Sequence, residues 1–240
     1  MFRPAHQQVE VPDWSQRLTT LADQAQSPDL QAFYSAGAVA PDTPLEQVPF
    51  TALDLETTGI DPEQNSILSI GLVPFSLARI RWGESRQWLV QPETTLSAES
   101  VQIHQITHAD LAAAPPMSQV LPELLTTLRG QVVVVHYRAI ERLFLYHAAQ
   151  RCYGAGLEFP VVDTMELEAR VYRKRVPGFM SRFLGHQPKS IRLADARSRF
   201  NLPFYPPHHA TVDALASAEL LQAQVAWRFS PQTPIRDLWR

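Results

Sequence analysis

Cysteine, long apolar runs and charge are all scarce in this sequence, and each scarcity excludes a class of protein. One residue of 240 is cysteine, Cys152, which allows neither an internal disulfide nor a thiolate metal site. No apolar run approaches the roughly 20 residues of a membrane span. The first residues, MFRPAHQQVEVPDW, lack the apolar core of a signal peptide. We therefore expect a cytoplasmic protein that does not enter a membrane.

The organisation of the chain follows from its composition and its prolines. A charged fraction of 19% is too low for a disordered chain, and 45% hydrophobic residues can form one sizeable core. Residues 1–47 have helical spacing interrupted at Pro28 and then a proline-rich connector, AVAPDTPLEQVP. We expect a helical extension and linker over 1–47, one main domain over 48–230 and a tail over 231–240.

Within the main domain, apolar patterns predict strands first and then alternating strands and helices. Three strands spaced like an antiparallel meander are predicted at 50–56, 66–75 and 86–92. A continuous apolar run at 131–137 is typical of a strand covered on both faces, and a short strand is expected near 159–164. Helices are predicted at 97–111, 117–128, 138–153, 165–175 and 208–229. This order predicts an α/β fold with a mixed five-stranded sheet flanked by helices.

The stretch TALDLETTGI, residues 51–60, sets two acids in a run otherwise suited to burial. Side chains alternate along a strand, so Asp54 and Glu56 lie on one face, roughly 6 to 7 Å apart along the backbone. Two ionised carboxylates half out of water repel each other and lose hydration unless a cation lies between them. The stretch therefore predicts a metal ion.

Two further acids and a histidine could join this site if the fold brings them together. They are Glu141, in the helix after the fourth strand, and Asp213, on the last helix, with His208 five residues before it. Oxygen ligands without cysteine fit two Mg²⁺ or Mn²⁺ ions. Two such ions ~4 Å apart can activate a water and stabilise the leaving oxygen of a phosphodiester, and a histidine can take the proton of the water. These residues predict a nuclease.

The basic residues are concentrated in one segment although the net charge is -3. Residues 170–199 hold nine of the 21 Lys and Arg and one acid, which makes the segment +8 and the remainder -11. Such a segment in an acidic chain predicts a surface that faces phosphates and includes Arg173, Lys174 and Arg175. The alternative is a solvated helix face without a partner.

These motifs resemble those of the DEDDh 3'-to-5' exonucleases, which include the proofreading subunit of bacterial replicative polymerase, oligoribonuclease and ribonuclease T. The resemblance covers roughly residues 50–228. LDLETTG (53–59) is similar to the first motif, HHATVDALASAELL (208–221) to the third, and QIHQITHADL (102–111) to a segment near the 3' end. The second motif departs from the family: HYRAIE (136–141) stands where His-Asn-Ala-x-Phe-Asp is usual, so Glu141 replaces an aspartate.

The resemblance implies a ribonuclease-H-like fold and removal of nucleoside 5'-monophosphates from the 3' end of DNA or RNA. It implies that the metal ligands are Asp54, Glu56, Glu141 and Asp213, and that His208 is the catalytic histidine. Candidates for contact with the nucleic acid are Thr57, Thr58, His104, Thr107, Arg173, Lys174 and Arg175. A protein partner is not indicated.

Two other functions remain open from the residues. The chain could be a non-catalytic nucleic-acid-binding or scaffolding module, because the extra methylene of Glu141 moves its carboxylate by ~1.5 Å and catalytic geometry is sensitive to shifts near 1 Å. A phosphodiesterase acting on dinucleotides is the third function. The retained spacing of His208 and the acids favours the exonuclease.

Three other interpretations concern structure. Asp163, in VVDTMELEAR, is predicted to cap a helix, with a Glu three residues on. His104, His108, His136 and His147 are expected to be surface residues or hydrogen-bonded structural residues. Tyr137, Tyr172 and Phe179 could stack on bases, although core packing is the default expectation.

Overall fold

The computed structural model describes residues 11–93, 106–172 and 189–240. Its strands are β1 (Phe50–Thr57), β2 (Ile67–Phe75), β3 (Arg86–Leu89), β4 (Val132–Val135) and β5 (Val161–Asp163). The helices before β4 are α1 (Trp14–Gln24), α2 (Pro28–Ser35), α3 (His108–Ala112) and α4 (Met117–Leu128). Those after β4 are α5 (Arg138–Tyr153), α6 (Thr164–Tyr172), α7 (Leu193–Arg199) and α8 (Ala210–Arg228).

The five strands form one mixed sheet in the order β3-β2-β1-β4-β5. Strand β2 is antiparallel to both β1 and β3, whereas β4 is parallel to β1 and β5 is parallel to β4. The predicted mixed five-stranded sheet is therefore confirmed. Because β1 is central, both its neighbours are strands and its acids lie in the interior of the sheet rather than at an edge.

Helix α8 packs across β1 and β2 and carries Asp213 to the sheet. Its buried face includes Ala214, Ala218 and Leu221. Small residues at the first two of these positions let the helix lie close to the strands, which matters for the geometry described below.

The bounds of several elements differ from the predicted ones. The predicted strand at 86–92 ends at Leu89, and the last helix begins at Ala210 rather than at residue 208. Most of the predicted helix at 97–111 and the end of the one at 165–175 lie outside the described residues. The helices within the described ranges are all too short or too polar to cross a membrane.

The flanking segments share the hydrophobic core of the sheet. Trp14, Leu30 and Phe33 from the first two helices are buried in it. At the other end of the chain Leu238 and Trp239 are buried too. The division of the chain at residues 47 and 230 stays a prediction. In the structure, both flanking segments pack against the same core as the sheet.

Candidate active site

In the parts of the chain that the structure describes, one group of carboxylates has the spacing of a metal site. It consists of Asp54 and Glu56 from β1 and Asp213 from α8, and one oxygen of each lies within 4.8 Å of the others. Glu56 is buried, and the two aspartates are half-buried. The two acids of β1 thus lie on the same face, as the alternation of the strand predicts.

Gly71 of β2 lets α8 approach the sheet closely enough to complete this group. Gly71 pairs with Asp54 across the strands. A Cβ added at Gly71 would lie 2.2 Å from the carbonyl carbon of Ala210 and 2.3 Å from the backbone nitrogen of Thr211. The first turn of α8 therefore rests directly on the sheet, and Asp213 follows on that turn. The sequence carries a signal for this contact, because an isolated glycine inside a strand often marks a close backbone approach.

Burial and the charges of nearby acids raise the pKa values of Asp54 and Asp213. The pKa of Asp54 lies well above its usual range because of burial first, and then because of the charges of Glu141, Glu56 and Asp213. Burial also raises the pKa of Asp213, and the charge of Glu56 adds to this effect. Carboxylates in this state take up either protons or a cation, so a divalent ion would restore their ionised form.

Glu141 lies in the first turn of α5, close enough for its charge to raise the pKa of Asp54. Its side chain is 3% exposed, and burial raises its own pKa well above the usual value. Oε2 of Glu141 is buried and has no hydrogen-bond partner among the described residues. Glu141 is not part of the three-residue group. An unsatisfied buried oxygen beside that group fits a further metal ligand.

The donor set fits Mg²⁺ or Mn²⁺. Every group named above offers oxygen, which hard divalent cations prefer, and the described cluster contains no sulfur ligand. The raised pKa values and the unsatisfied oxygen of Glu141 are what a cation would relieve.

The two adjacent histidines have different positions. His208 is exposed, lies on the loop before α8, has a left-handed backbone (φ 71°) and lines the same cleft as Asp54 and Asp213. Its backbone N–H donates to Oδ2 of Asp213 at 2.8 Å. His209 is the N-cap residue of α8, and its carbonyl oxygen accepts from the backbone N–H of Asp213 at 2.9 Å. Only His208 of the pair therefore lines the cleft beside the carboxylates.

Asp163, at the end of β5, caps two helices. Oδ1 accepts from the backbone N–H groups of Met165 at 2.9 Å and Glu166 at 3.2 Å, so the predicted cap of α6 is confirmed. The same oxygen accepts from Tyr137 N–H at 3.1 Å, and Oδ2 accepts from Arg138 N–H at 3.2 Å at the start of α5. This second cap was not predicted, because it depends on the parallel pairing of β4 and β5.

The side chain of Glu166 does not complete a capping box with Asp163, because it pairs with Arg138, Arg170 and Arg240. Tyr137, between β4 and α5, has φ 98° and is 41% exposed, so the default expectation of core packing is wrong for it. The hydrogen bonds from the backbone N–H groups of Tyr137 and Arg138 to Asp163 hold this left-handed residue in place, four residues before Glu141.

His136 is a structural residue in the wall of the cleft. Its Nδ1 lies 2.8 Å from Oγ1 of Thr164, and its Nε2 lies 3.1 Å from the carbonyl oxygen of Ile191. The carbonyl can only accept, so Nε2 carries the proton and donates. Burial lowers the pKa of His136 to about 4. The histidine is therefore neutral at pH 7 and ties the end of β4 to α6 and to the segment before α7.

The carboxylates open into a cleft of about 640 Å³. One part of its lining is polar and contains Asp54, His208 and Asp213. The other part comes from α7 and from the loop between α7 and α8, and its apolar members are Leu193, Ala194, Leu202, Pro203, Phe204 and Pro207. A ligand in this cleft would meet both carboxylates and apolar side chains.

The remaining predicted contact residues have local roles where they are described. Thr57 donates its hydroxyl to the carbonyl of Gly59 at 2.6 Å, and Oγ1 of Thr58 accepts from the backbone N–H of Ser66 at 3.0 Å. Thr107 caps α3 in a capping box with Asp110. His104, Arg173, Lys174 and Arg175 lie outside the described residues.

Three arginines of the basic segment, residues 170–199, form internal ion pairs. Arg170 pairs with Glu166 at 3.0 Å, Arg197 with Glu219 at 2.7 Å and Arg199 with Glu168 at 2.5 Å. Tyr172 stacks against the guanidinium of Arg199, with 4.7 Å from the ring centroid to Cζ. Arg197 joins α7 to α8 and Arg199 joins α7 to α6, whereas Arg170 pairs within α6. The sequence therefore overstated the charge available to a phosphate.

Comparison with known proteins adds the family. The exonuclease family model RNase_T matches residues 51–221. The DNA polymerase III epsilon subunit of Treponema pallidum (strain Nichols) is 30% identical over 182 residues, which are 75% of this chain and 78% of that protein. A PolC-type DNA polymerase III of Thermotoga petrophila is 31% identical over 134 residues, 56% of this chain. The matched part is 10% of the length of that polymerase.

Solved structures support the same fold. The nuclease domain of 3'hExo, a DEDDh family member bound to rAMP, has a TM-score of 0.62 at 17% identity and covers 79% of this chain and 96% of that chain. Exonuclease X in complex with 5' overhanging duplex DNA has a TM-score of 0.55 at 20% identity, covering 77% and 96%. Since the family model spans well over half of the sequence, this chain belongs to the DnaQ-like exonuclease family and has its ribonuclease-H-like fold.

Proposed function

We propose that this protein is a divalent-metal-dependent 3'-to-5' exonuclease that releases nucleoside 5'-monophosphates from the 3' end of DNA or RNA. The observation that carries the proposal is the group of oxygens from Asp54, Glu56 and Asp213 within 4.8 Å of one another, in a cleft that His208 also lines. Membership of an exonuclease family supports hydrolysis of phosphodiesters as the chemistry.

The four acids divide into a close group and one outlying ligand. Asp54, Glu56 and Asp213 would hold one ion between them, and Glu141 with Asp54 would contribute to a second. When bound, two Mg²⁺ or Mn²⁺ ions supply an activated water and charge stabilisation for the leaving oxygen. The structural part of the work falls to the sheet and to α8, which hold the carboxylates in position before the substrate arrives.

His208 acts as the general base in this proposal. Its imidazole removes a proton from the attacking water, the usual task of a histidine that serves as a general base. The bond from its backbone N–H to Asp213 ties the position of the loop to one of the metal ligands. His208 lies on an exposed loop at the edge of this cleft rather than in the core.

The contacts with the rest of the strand are proposed from the sequence. Thr57, Thr58, His104 and Thr107 would lie near the 3' end, and Arg173, Lys174 and Arg175 would face backbone phosphates. A cytoplasmic setting is part of the same proposal.

A non-catalytic module on this fold has less support. Asp54 and Asp213, whose pKa values are raised by burial and by the charges of nearby acids, oppose folding in the absence of a cation. A protein that only binds nucleic acid gains nothing from this repulsion, because the same acids also repel phosphates.

The test is a panel of single- and double-stranded DNA and RNA, labelled at either end, with a dinucleotide as the shortest member. We expect mononucleotides to appear from the 3' end with Mg²⁺ or Mn²⁺ and to disappear with EDTA. Release from the 5' end would reverse the proposed polarity. Hydrolysis of the dinucleotide alone would support the phosphodiesterase, and no hydrolysis of any strand would support the binding module.

A further inference from the structure

The loop between α7 and α8, residues 200–209, is braced by a buried arginine. Arg197 is 4% exposed, and its guanidinium donates to the carbonyl oxygens of Ala216 at 2.6 Å and Pro203 at 2.8 Å. It also pairs with Glu219 at 2.7 Å. Because Ala216 and Glu219 belong to α8, these bonds tie the loop to the helix that carries Asp213.

The same arginine fixes a second point of the loop. The ring of Tyr205 stacks on the guanidinium of Arg197, with 4.7 Å from the ring centroid to Cζ. The hydroxyl of Tyr205 donates to Oε1 of Glu219 at 3.0 Å. Pro203 and Tyr205 are thus both held, and Phe204 lies between them on a backbone with little freedom relative to the carboxylates.

The side chain of Phe204 is presented to the cleft instead of being packed. It is 79% exposed and lines the same cleft as Asp54 and Asp213. A single exposed apolar residue means little by itself. Phe204 differs because its two neighbours are anchored inward, and because Leu202 and Pro207 extend the apolar surface around it.

This arrangement suits a flat, uncharged group that is covalently joined to a phosphate. Cations held by the acids would neutralise a phosphate in the cleft, whereas Phe204 offers an aromatic face with few torsions to restrict. A nucleobase has that shape, and stacking on an aromatic ring is tolerant of its identity because every base has a π-face.

On the basis of the proposed exonuclease function, we infer that Phe204 stacks on a nucleobase at or next to the 3' end of the bound strand. The contact would place the terminal nucleotide relative to the acids without reading its sequence. Sequence reasoning named other aromatic residues for stacking, since nothing local distinguishes Phe204 from a core phenylalanine.

The contact can be measured by binding without turnover. The probes are short 5'-fluorescein-labelled single strands of DNA and RNA, with Ca²⁺ in place of Mg²⁺ and the strands checked for integrity. Phe204→Ala should weaken binding roughly 5- to 150-fold, the range for loss of one stacked base, and Phe204→Trp should restore it. The matched control is Trp82→Ala, which removes an exposed aromatic (49%) in the short helical turn Trp82–Glu84 before β3, outside the lining of this cleft.

An abasic nucleotide at each terminal position in turn identifies the partner. If Phe204 stacks on a base, one abasic strand should bind the parent more weakly while Phe204→Ala binds that strand and the normal strand equally. If each abasic nucleotide weakens binding to the parent and to Phe204→Ala by the same factor, the stacking inference is wrong. An effect of Trp82→Ala as large as that of Phe204→Ala would also overturn it.

Activity separates this inference from the function beneath it. Phe204→Ala should raise KM with a smaller change in kcat. A fall in kcat with unchanged binding would mean that the loop acts through His208, which contradicts stacking. Suppose the parent releases mononucleotides but an abasic nucleotide weakens its binding no more than that of Phe204→Ala. The stacking inference is then wrong, and the exonuclease function stands. If the abasic effect depends on Phe204 but the parent releases no mononucleotides, the stacking contact stands and the proposed exonuclease function is wrong.

Discussion

Asp54 and Asp213 oppose folding unless something neutralises them, because burial and the nearby acids raise the pKa of each. We predict that Asp54→Asn and Asp213→Asn each abolish hydrolysis while the protein still melts cooperatively. Without metal, the variants should melt no lower than the parent, since a repulsive charge has been removed. Mg²⁺ or Mn²⁺ should raise the melting temperature of the parent by mass action and that of the variants much less.

Thermal melting with and without metal, together with mononucleotide release, checks this pair. If both variants keep more than a small fraction of the parent's activity, the proposed metal site is wrong.

Glu141 carries the difference between this chain and the motif it resembles. We predict that Glu141→Ala loses most of the activity, since a buried oxygen beside the acid cluster is removed, and that Glu141→Asp keeps a substantial part. The parent should hydrolyse its substrate faster with Mn²⁺ than with Mg²⁺. Mg²⁺ demands near-ideal octahedral geometry, which the longer side chain of Glu141 meets less well than an aspartate would.

Metal titrations of initial rate for the parent and both variants decide the role of Glu141. Equal activity of Glu141→Ala and the parent would identify Glu141 as a residue without a part in catalysis.

His208 and His209 are separated by one peptide bond and by their place in the fold. We predict that His208→Asn lowers kcat by about 10²- to 10⁴-fold, the usual contribution of a general base, and that His209→Asn costs far less. Asparagine is a better replacement than alanine here, because asparagine tolerates the left-handed backbone at position 208 (φ 71°).

Steady-state kinetics of both variants provide the comparison, with metal binding as the control for an intact site. A crippled His209→Asn beside an active His208→Asn would show that the motif is misaligned by one residue.

At the scale of elements, the site depends on how closely α8 lies on β2. We predict that Gly71→Ala lowers both stability and activity, because its new Cβ would lie 2.2 Å from the backbone of Ala210 and must push the helix away. A displacement near 1 Å at a catalytic group can cost about 10²-fold in rate. Asp213 would move with the helix, whereas Asp54 and Glu56 would stay on β1.

Gly83→Ala is the matched control, since a Cβ at that glycine meets no atom within 4 Å. Urea unfolding and initial rates measured on both variants test the prediction. If Gly71→Ala behaves like Gly83→Ala, the close approach of α8 is not what positions Asp213.

At the scale of the whole molecule, the net charge of -3 must be reconciled with a polyanionic substrate. We predict that replacing Arg173, Lys174 and Arg175 with glutamine weakens binding of single strands and flattens the dependence on salt. Three lost phosphate contacts would reduce the slope of log K against log salt by up to about 2.

The control is a triple replacement of Arg79, Arg81 and Arg86, which lie in and just before the edge strand β3. Fluorescence anisotropy over a series of salt concentrations gives both slopes. An unchanged slope for the first variant would assign residues 173–175 to a solvated surface.

The sequence by itself determined the local structure and the kind of chemistry. Helices α4 and α5 occupy the predicted ranges, because apolar spacing and the left-handed glycine after α5, Gly154, are local signals. The alternation of a strand was enough to put the carboxylates of Asp54 and Glu56 on one face. Oxygen ligands without cysteine were enough to indicate the class of metal.

Only the tertiary structure decided the distances between segments far apart in the chain. The approach of Asp213 to β1 depends on the packing of α8 against Gly71, and the capping of α5 by Asp163 depends on the pairing of β4 with β5. The commitment of Arg197 to the loop beneath Phe204 depends on the buried face of α8. Each contact joins groups whose proximity is set by burial of the shared core, and a pattern within one segment carries no information about that packing.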